Sequence, residues 1–229
     1  MKVKEIVTRV RSAIDALTVS DSEFQQQTSD DKNLNAIIID KIPYALIYII
    51  ENAPEEKLDS DMVTALDVSS ATGVTAGGMV SVKLPDDVLR LMSARLKSWS
   101  LSPVPVTEYS QEYLMQQDPY AKGSWDRPVS AVRYKGTDRY LELYSAKDAS
   151  DTPEVSYIKK PTVADTSSEE TDIKVPSRLE GAFIYQVAAL TMVAFREEVA
   201  QQLFGIAQNY LLSTISNREE GYEDTHIHL

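Results

Sequence analysis

Residues 175–215 read VPSRLEGAFIYQVAALTMVAFREEVAQQLFGIAQNYLLSTI, and this stretch decides the predicted fold. From Gly181 to Phe195 the residues are apolar on nearly every side of a helix, which predicts a helix that is buried all round. Beyond Arg196 the apolar residues recur at three- and four-residue intervals, as they do in an amphipathic helix. We therefore predict one long helix over 175–216, roughly 55–60 Å in length at about 1.5 Å per residue.

The start of this helix carries its own signal. Ser177 is followed three residues later by Glu180, a spacing that predicts a capping box at the first turn.

The alternative to one long helix is a core helix that ends near Phe204 and is followed by a second, short helix. A membrane helix is disfavoured, because the apolar run of about fifteen residues is shorter than the roughly twenty that span a bilayer.

The C-terminal half of this helix predicts a contact surface. A domain of this size has a core shorter than the predicted helix, so the second half is expected to pack against a partner. The alternative is packing against the N-terminal helices of the same chain. The predicted oligomer interface consists of apolar residues from two adjacent rows of the helix: Val199, Leu203, Phe204, Tyr210 and Leu211.

The rest of the chain predicts helices at the N-terminus and strands in the middle. Apolar residues from Val3 to Leu17 follow a helical period, and a second helix runs from Asp30 or Asp31 to Ala53. Pro43 lies inside this second helix and predicts a kink, or a break with a restart near Asp40. Alternating patterns predict the strands, and a polar stretch predicts a short helix at 108–117. The predicted strands are 62–68, 79–84, 88–99, 128–134, 140–144 and 155–158.

This order of elements predicts the α+β class, with N-terminal helices, a long C-terminal helix and a central, mostly antiparallel sheet. We predict a single domain over 1–229. Its segments are a helical part at 1–60, a mainly β part at 61–160, the long helix at 175–216 and a tail at 217–229. The polar stretch 18–29 and the tail hold little apolar surface, so both are expected to be flexible in the free protein.

Composition excludes several classes of function. The chain has 229 residues, of which 43% are hydrophobic and 25% charged, as in soluble globular proteins. Its net charge of −12 argues against a sequence-reading nucleic-acid binder, because phosphate contacts need clustered Lys and Arg. It has no cysteine, which excludes disulfides and thiolate sites. The N-terminus lacks the uninterrupted apolar core of a secretion signal.

Motifs for chemistry are weak. The two histidines are His226 and His228, close to the end of the sequence, where a frayed tail is a better interpretation than a metal site. Acidic residues occur as adjacent pairs such as Glu197-Glu198, whose side chains point apart on a helix. The glycine-rich loop 73–78 lacks the Gly-Lys-Ser/Thr of a phosphate-binding loop. We predict no catalytic residues, no metal site and no cofactor, and therefore no enzyme.

Several segments carry a resemblance to a known family. These are the helix at 7–17, the Leu-Pro-Asp turn within 82–91, the strand end at 157–161 and the alanine-rich helix at 179–212. In this order they resemble the head-to-tail adaptors of tailed bacteriophages, the group that includes the podovirus tail tubular proteins. Residues 113–123 and 141–147 are similar to segments of neck ring proteins of crAss-like phages.

The resemblance implies a structural virion protein without catalysis. It implies a dodecameric ring in the neck, joining the portal protein to further neck or tail ring proteins, with assembly in the host cytoplasm and no membrane partner. DNA would be a passing cargo, so the lumen is expected to be acidic or neutral, with Arg90, Arg95 and Lys97 facing neighbouring subunits. Two other hypotheses remain open: a non-enzymatic protein- or peptide-binding module that is monomeric in function, and an enzyme that uses carboxylates and tyrosines.

Overall fold

The computed structural model describes residues 1–18, 31–69, 71–75, 77–118, 120–161 and 170–213. Helices and sheets lie in separate parts of the chain, which confirms the predicted α+β class. Two compact units are present, a helical unit within 1–58 and 163–229 and a β unit within 59–162. The helical-to-β boundaries predicted at residues 60 and 160 lie close to the unit boundaries at 58 and 162.

The described part of the helical unit contains α1 (Val3–Thr18), α2 (Asp31–Asn52), α4 (Glu180–Met192) and α5 (Glu197–Leu212). The β unit contains β1 (Val63–Ala65), β2 (Val80–Leu84), β3 (Val88–Leu96), β4 (Val106–Thr107), α3 (Gln111–Met115), β5 (Val129–Lys135), β6 (Asp138–Tyr144) and β7 (Pro153–Lys159). Short 3-10 turns lie at Glu55–Lys57, Ser60–Met62 and Ser177–Leu179.

Helix α4 lies at the centre of the helical unit and contacts α1, α2 and α5. Its side chains are buried on several faces, as the apolar run from Gly181 predicts. Helix α1 is amphipathic, and its predicted apolar face is buried. The largest fully buried side chains of the unit come from α1, α2 and α4: Ile6, Ile14, Ile38, Ile42, Leu46, Ile49, Ile50 and Phe183.

The predicted single helix over 175–216 is wrong, because the chain folds back between α4 and α5. In a straight helix, residues 181 and 210 would be separated by roughly 43 Å. Here a Cβ on Gly181 would lie 3.0 Å from the Tyr210 ring, and the Tyr185 and Tyr210 rings stack with centroids 5.5 Å apart. The alternative break near Phe204 is also wrong, since the turn lies at 193–196. The long apolar pattern is therefore accommodated as an antiparallel hairpin.

The predicted capping box at Ser177 and Glu180 is also wrong. Neither the 3-10 turn at Ser177–Leu179 nor α4 has a side-chain cap hydrogen bond at its start. The Glu180 carboxylate instead lies 3.0 Å from Nη1 of Arg9 on α1. Pairing with a cation on a neighbouring helix thus replaces the local backbone contact.

Helix α2 continues through Pro43, so the predicted break near Asp40 is wrong. Proline removes one backbone donor and crowds the carbonyl four residues before it, which disfavours an interior helical position by about 3 kcal/mol. Residues on both sides of Pro43 are buried, among them Ile42 and Leu46. We infer that the burial of this apolar segment offsets the local cost.

The β unit contains two sheets where the sequence predicts one. A three-stranded antiparallel sheet has the order β1-β7-β3, and a four-stranded sheet has the order β2-β6-β5-β4. Strand β4 is parallel to β5 and is not among the predicted strands, because two residues are too few to show an alternating pattern. The strands predicted at 128–134 and 140–144 are present as β5 and β6, which form an antiparallel hairpin with Gly136 at φ +67° in its turn.

The inner faces of these strands form one core. Its buried residues include Val82, Leu141 and Leu143 from the four-stranded sheet and Ala94, Leu96 and Tyr157 from the three-stranded sheet. Trp99 is buried with them and donates its indole N–H to the Ser145 carbonyl at 3.2 Å. The alternating apolar residues of β2 and β6 thus point inward, as their spacing predicts.

The Leu-Pro-Asp turn between β2 and β3 is held by one guanidinium. Nη2 of Arg139 donates to the carbonyl oxygens of Pro85, Asp86 and Val88 at 3.4, 3.5 and 3.0 Å. Because a charged donor serves three backbone acceptors, this contact fixes the course of the chain between the two strands.

We expect Arg139→Ala to lower the free energy of unfolding of the β unit by about 1–2 kcal/mol, since the charge-assisted bonds are long and partly exposed. Both tryptophans, Trp99 and Trp125, lie in the β unit, so urea unfolding followed by tryptophan fluorescence measures it selectively. Arg127→Ala, at an exposed arginine of the same unit, is the matched control. Equal stability of the two variants would contradict the role of Arg139.

Two sequence predictions lie outside the described residues. The polar stretch 18–29 is described only at Thr18, the last residue of α1, and the tail 217–229, including His226 and His228, is not described. Among the described helices, none is both long enough and apolar enough to cross a membrane.

Candidate interaction surfaces

The five predicted interface residues lie in α5 in two different environments. Leu203 and Leu211 are 0% and 1% exposed, so these two are buried inside the helical unit. Leu211 packs with Ile49 and Leu179. For Leu203 and Leu211 the interface prediction is therefore corrected in favour of packing within the chain, because the hairpin brings this face of α5 back onto its own unit.

The remaining three keep exposed surface. Val199 and Phe204 are partly exposed, and Tyr210 is 49% exposed although one side of its ring covers Gly181. At these three positions the interface remains a prediction.

The end of α5 is held by a buried lysine, Lys57, which no pattern in the sequence indicates. The Lys57 ammonium donates to the carbonyl oxygens of Tyr210 and Leu211 at 2.7 and 2.9 Å and to Oγ of Ser213 at 3.2 Å. All three donors of the ammonium are thus used. Burial lowers the pKa of Lys57 from its ordinary value. A positive charge at the C-terminal end of a helix is also favoured by the helix dipole.

The clearest candidate interaction surface is the apolar segment 101–125 of the β unit. Half of the large hydrophobic side chains that are exposed in the described residues lie in it. Tyr109 and Tyr120 are 85% and 99% exposed. The others are Leu101, Val104, Leu114, Met115 and Trp125. Tyrosine, tryptophan and methionine are residue types that protein interfaces favour.

Helix α3 presents part of this segment. Oγ of Ser110 accepts a hydrogen bond from the Tyr113 N–H at 3.2 Å, a side-chain cap at the start of the helix. Tyr113 is buried and meets the Tyr144 ring edge to face, with centroids 6.0 Å apart. Tyr113 therefore anchors α3 to Tyr144 of β6, while Leu114 and Met115 of the same helix stay exposed.

A buried carboxylate supports the anchor. Glu142 on β6 accepts a hydrogen bond from the Tyr144 hydroxyl at 2.6 Å and lies 3.5 Å from Nη1 of Arg133 and 3.7 Å from Nζ of Lys135. Burial, and then the hydrogen bond to Glu142, raise the pKa of Tyr144, so this tyrosine stays protonated and donates. The buried Glu142 carboxylate is thus paired with one hydrogen-bond donor and two cations. We infer a structural role for it, since it holds Tyr144, against which Tyr113 of α3 packs.

Both units also contain grooves. One of about 510 Å³ lies in the helical unit between α1 and the α4–α5 hairpin. Another of about 510 Å³ lies over β3 and β7, where the hydroxyls of Ser93 and Ser156 are 2.8 Å apart and Arg95 forms an ion pair with Glu154. In the part of the chain that is described, no group of three or more acidic, histidine or cysteine residues is placed to hold a metal ion.

No protein-family model matches the chain, and no curated protein has significant similarity to it.

Proposed function

We propose that this chain is a structural protein of a tailed bacteriophage, a subunit of a neck or adaptor ring that joins the portal to the tail. The observation that carries the proposal is the exposed apolar segment 101–125. A concentration of exposed tyrosine, tryptophan, methionine and leucine side chains along one segment is typical of a surface that is buried on assembly. The resemblance in the sequence supports the same class of function.

Charge supports the role of DNA as a passing cargo. The chain has 35 acidic and 23 basic residues, a balance that gives a ring of copies a strongly negative charge. The Arg95 guanidinium is already paired with Glu154, at 2.7 Å from its carboxylate. Cations that are not neutralised are what retain phosphate, so such a ring would hold DNA weakly.

The second candidate is a protein- or peptide-binding module that is monomeric in function. The groove over β3 and β7 favours it, because hydroxyls and one ion pair lie on an otherwise apolar sheet face. Under this candidate, Ser156→Trp should abolish ligand binding by filling the groove. Under the neck proposal, the same change should leave ring formation intact.

The test is to mix the protein with portal rings encoded by the same genome and to image the product by electron microscopy. We expect an added ring of density with the rotational symmetry of twelve copies. Tyr109→Ser combined with Leu114→Ser should weaken binding to the portal by at least about 30-fold, the equivalent of a hot-spot loss of about 2 kcal/mol.

Tyr134→Ser, at an exposed tyrosine of the same unit outside the segment, is the matched control. Portal rings that stay bare at saturating protein would contradict the neck role. Binding that is equally weakened by the control would contradict the role of segment 101–125.

A further inference from the structure

Helix α5 presents an uncharged face to the solvent. Its buried side is marked by Leu203 and Ala207. The exposed residues on the opposite side are Gln201, Gln202, Gly205, Asn209 and Leu212. From Val199 to Leu212 the sequence has no charged residue, although 25% of the whole chain is charged. Depletion of charge is the compositional mark of the centre of a protein interface.

The first two helices of the same unit do not share this property. Their exposed positions carry charges, as is usual for the solvent side of a helix. On α1 these are Lys4, Glu5, Arg9 and Asp15, and on α2 they are Asp40 and Glu51. The uncharged face is therefore a feature of α5 and not of the helical unit as a whole.

Gly205 lies at the centre of this face. Helix α5 runs from Glu197 to Leu212, so Gly205 is at its midpoint, and the helical period places it opposite Leu203 and Ala207. A glycine inside a helix is less favourable than alanine. A Cβ built on Gly205 meets no described atom within 4 Å, so packing within the described part of the chain does not require a glycine here. Close approach of a second backbone is a reason for glycine at such a position.

The occupant that matches this face is the same face of a second copy. Primary amides both donate and accept hydrogen bonds, so a face built from Gln201, Gln202 and Asn209 is complementary to itself. Because Gly205 is at the midpoint of α5, two copies of the helix that cross at their midpoints bring their glycines together. Such a contact uses one surface twice and is isologous, with a two-fold axis at the crossing. A different partner would set no condition on where along the helix the glycine lies.

The acidic pair at the start of α5 sets the direction of the contact. Glu197 and Glu198 lie in the first turn, and both are exposed. In a parallel pair, the carboxylates of the two copies would lie side by side. In an antiparallel pair they are separated by roughly 20 Å, the length of the helix. The antiparallel arrangement also opposes the two helix dipoles and places Gln201 of one copy against Asn209 of the other.

We propose that α5 pairs with α5 of a second copy, antiparallel, about a two-fold axis at Gly205. A contact one helix wide buries little surface, so the dimer belongs to the weak, transient class. The inference does not rest on the neck role, because a two-fold contact closes on itself and describes the free protein.

Because the chain has no cysteine, introduced cysteines report the register of this pair. Gln201→Cys is mixed with Asn209→Cys under mild oxidation, and mixed dimers are followed on a non-reducing gel. A disulfide needs Cβ atoms about 3.5–4.5 Å apart, so facing positions should link at least about tenfold faster than the control mixture of Gln201→Cys with Ser12→Cys. Ser12 is exposed on α1 of the same unit.

Each variant alone tests the direction. The two copies of position 201 are offset by roughly 12 Å along an antiparallel pair, so Gln201→Cys alone should not exceed the control rate. The same holds for Asn209→Cys. With both cysteines in one chain, oxidation should give closed dimers and no longer products.

Gly205→Glu separates pairing from folding. Glutamate is a better helix former than glycine, so the melting temperature of the helical signal should rise by about 2–4 °C at a dilution where the protein is monomeric. The same change places two carboxylates at the two-fold axis, so sedimentation velocity over a concentration series should show dimerisation weakened at least about tenfold. Ser12→Glu adds the same charge on α1 and should leave dimerisation unchanged.

A mixed pair that links no faster than the control would overturn the proposal, and so would a Gly205→Glu protein that dimerises like the parent. Single variants that link as fast as the mixture would show a parallel pair instead, and ladders of linked chains would show a head-to-tail contact. Portal rings that stay bare while the mixed pair links would contradict the neck role and support the dimer.

Discussion

Leu203→Asp should unfold the helical unit. Leu203 is 0% exposed in α5, so the change removes a core side chain and buries a carboxylate without a partner. Truncating a buried leucine alone costs about 2–5 kcal/mol, and an unpaired buried charge costs a further amount of about 3–5 kcal/mol. Because domains are stable by only about 5–15 kcal/mol, most of the unit should be unfolded at room temperature.

Far-UV circular dichroism is the measurement, and loss of a large part of the helical signal is the expected result. Tryptophan fluorescence should change far less, since both tryptophans lie in the β unit. Gln202→Asp, at an exposed position next to Leu203, is the matched control and should leave the melting temperature almost unchanged. A folded monomer of Leu203→Asp that fails only to assemble would restore the interface predicted from the sequence.

The second large effect is expected from Lys57→Met, which keeps the length of the side chain and removes its ammonium. The variant loses three hydrogen bonds at the end of α5 and leaves the Tyr210 and Leu211 carbonyls without this donor. Because a charged donor is removed and buried acceptors lose their partner, we expect the free energy of unfolding to fall by about 3 kcal/mol. Urea unfolding followed by circular dichroism measures it.

The pH dependence of this difference has a definite sign. Burial lowers the pKa of Lys57 in the folded protein, whereas in the unfolded chain it is about 10.4. Between these two values the unfolded state binds more protons, so the free energy of unfolding rises as pH increases through this window. The stability of the parent relative to Lys57→Met should therefore increase as pH rises toward the unfolded-state pKa of about 10.4.

Lys4→Met, at an exposed lysine of the helical unit, is the control for loss of one charge. A difference between the parent and Lys57→Met that shrinks as pH rises would contradict a lowered pKa. A Lys57→Met variant as stable as the control would show that the three contacts contribute nothing net.

Local patterns in the sequence predict most of the elements, because each pattern records which face is buried. The alternation in β2 and β6 and the helical period of α1 are examples, and the structure places both as expected. The reversal at 193–196 escapes this reasoning, because an all-round apolar helix shows the same pattern whether it continues or turns back. Only the close fit of Tyr210 over Gly181, between residues far apart in the sequence, settles the direction.

The interaction surfaces were harder to predict for a related reason. Tyr109 and Tyr113 lie four residues apart, yet one is exposed and the other is buried against Tyr144. That difference depends on the Glu142 network on another strand. Lys57 lies in a short polar segment with no local pattern, and its partners are more than 150 residues away. The helical period correctly predicts that Leu203 and Leu211 lie on the apolar face of α5. It does not show whether that face packs against another subunit or against the same chain.

The discontinuous course of the helical unit sets an order of events during translation. Helices α1 and α2 leave the ribosome first, but α4, the helix against which they pack, begins at Glu180. At about 5–20 residues per second, the nascent chain waits roughly 10–35 s between the synthesis of α1 and that of α4. The β unit is contiguous, so it can fold in that interval, while the apolar faces of α1 and α2 stay uncovered. Until the last third of the chain is released, we expect chaperones to bind the uncovered apolar faces of these two helices. Truncation after residue 162 should yield a folded β unit with an aggregation-prone N-terminal extension.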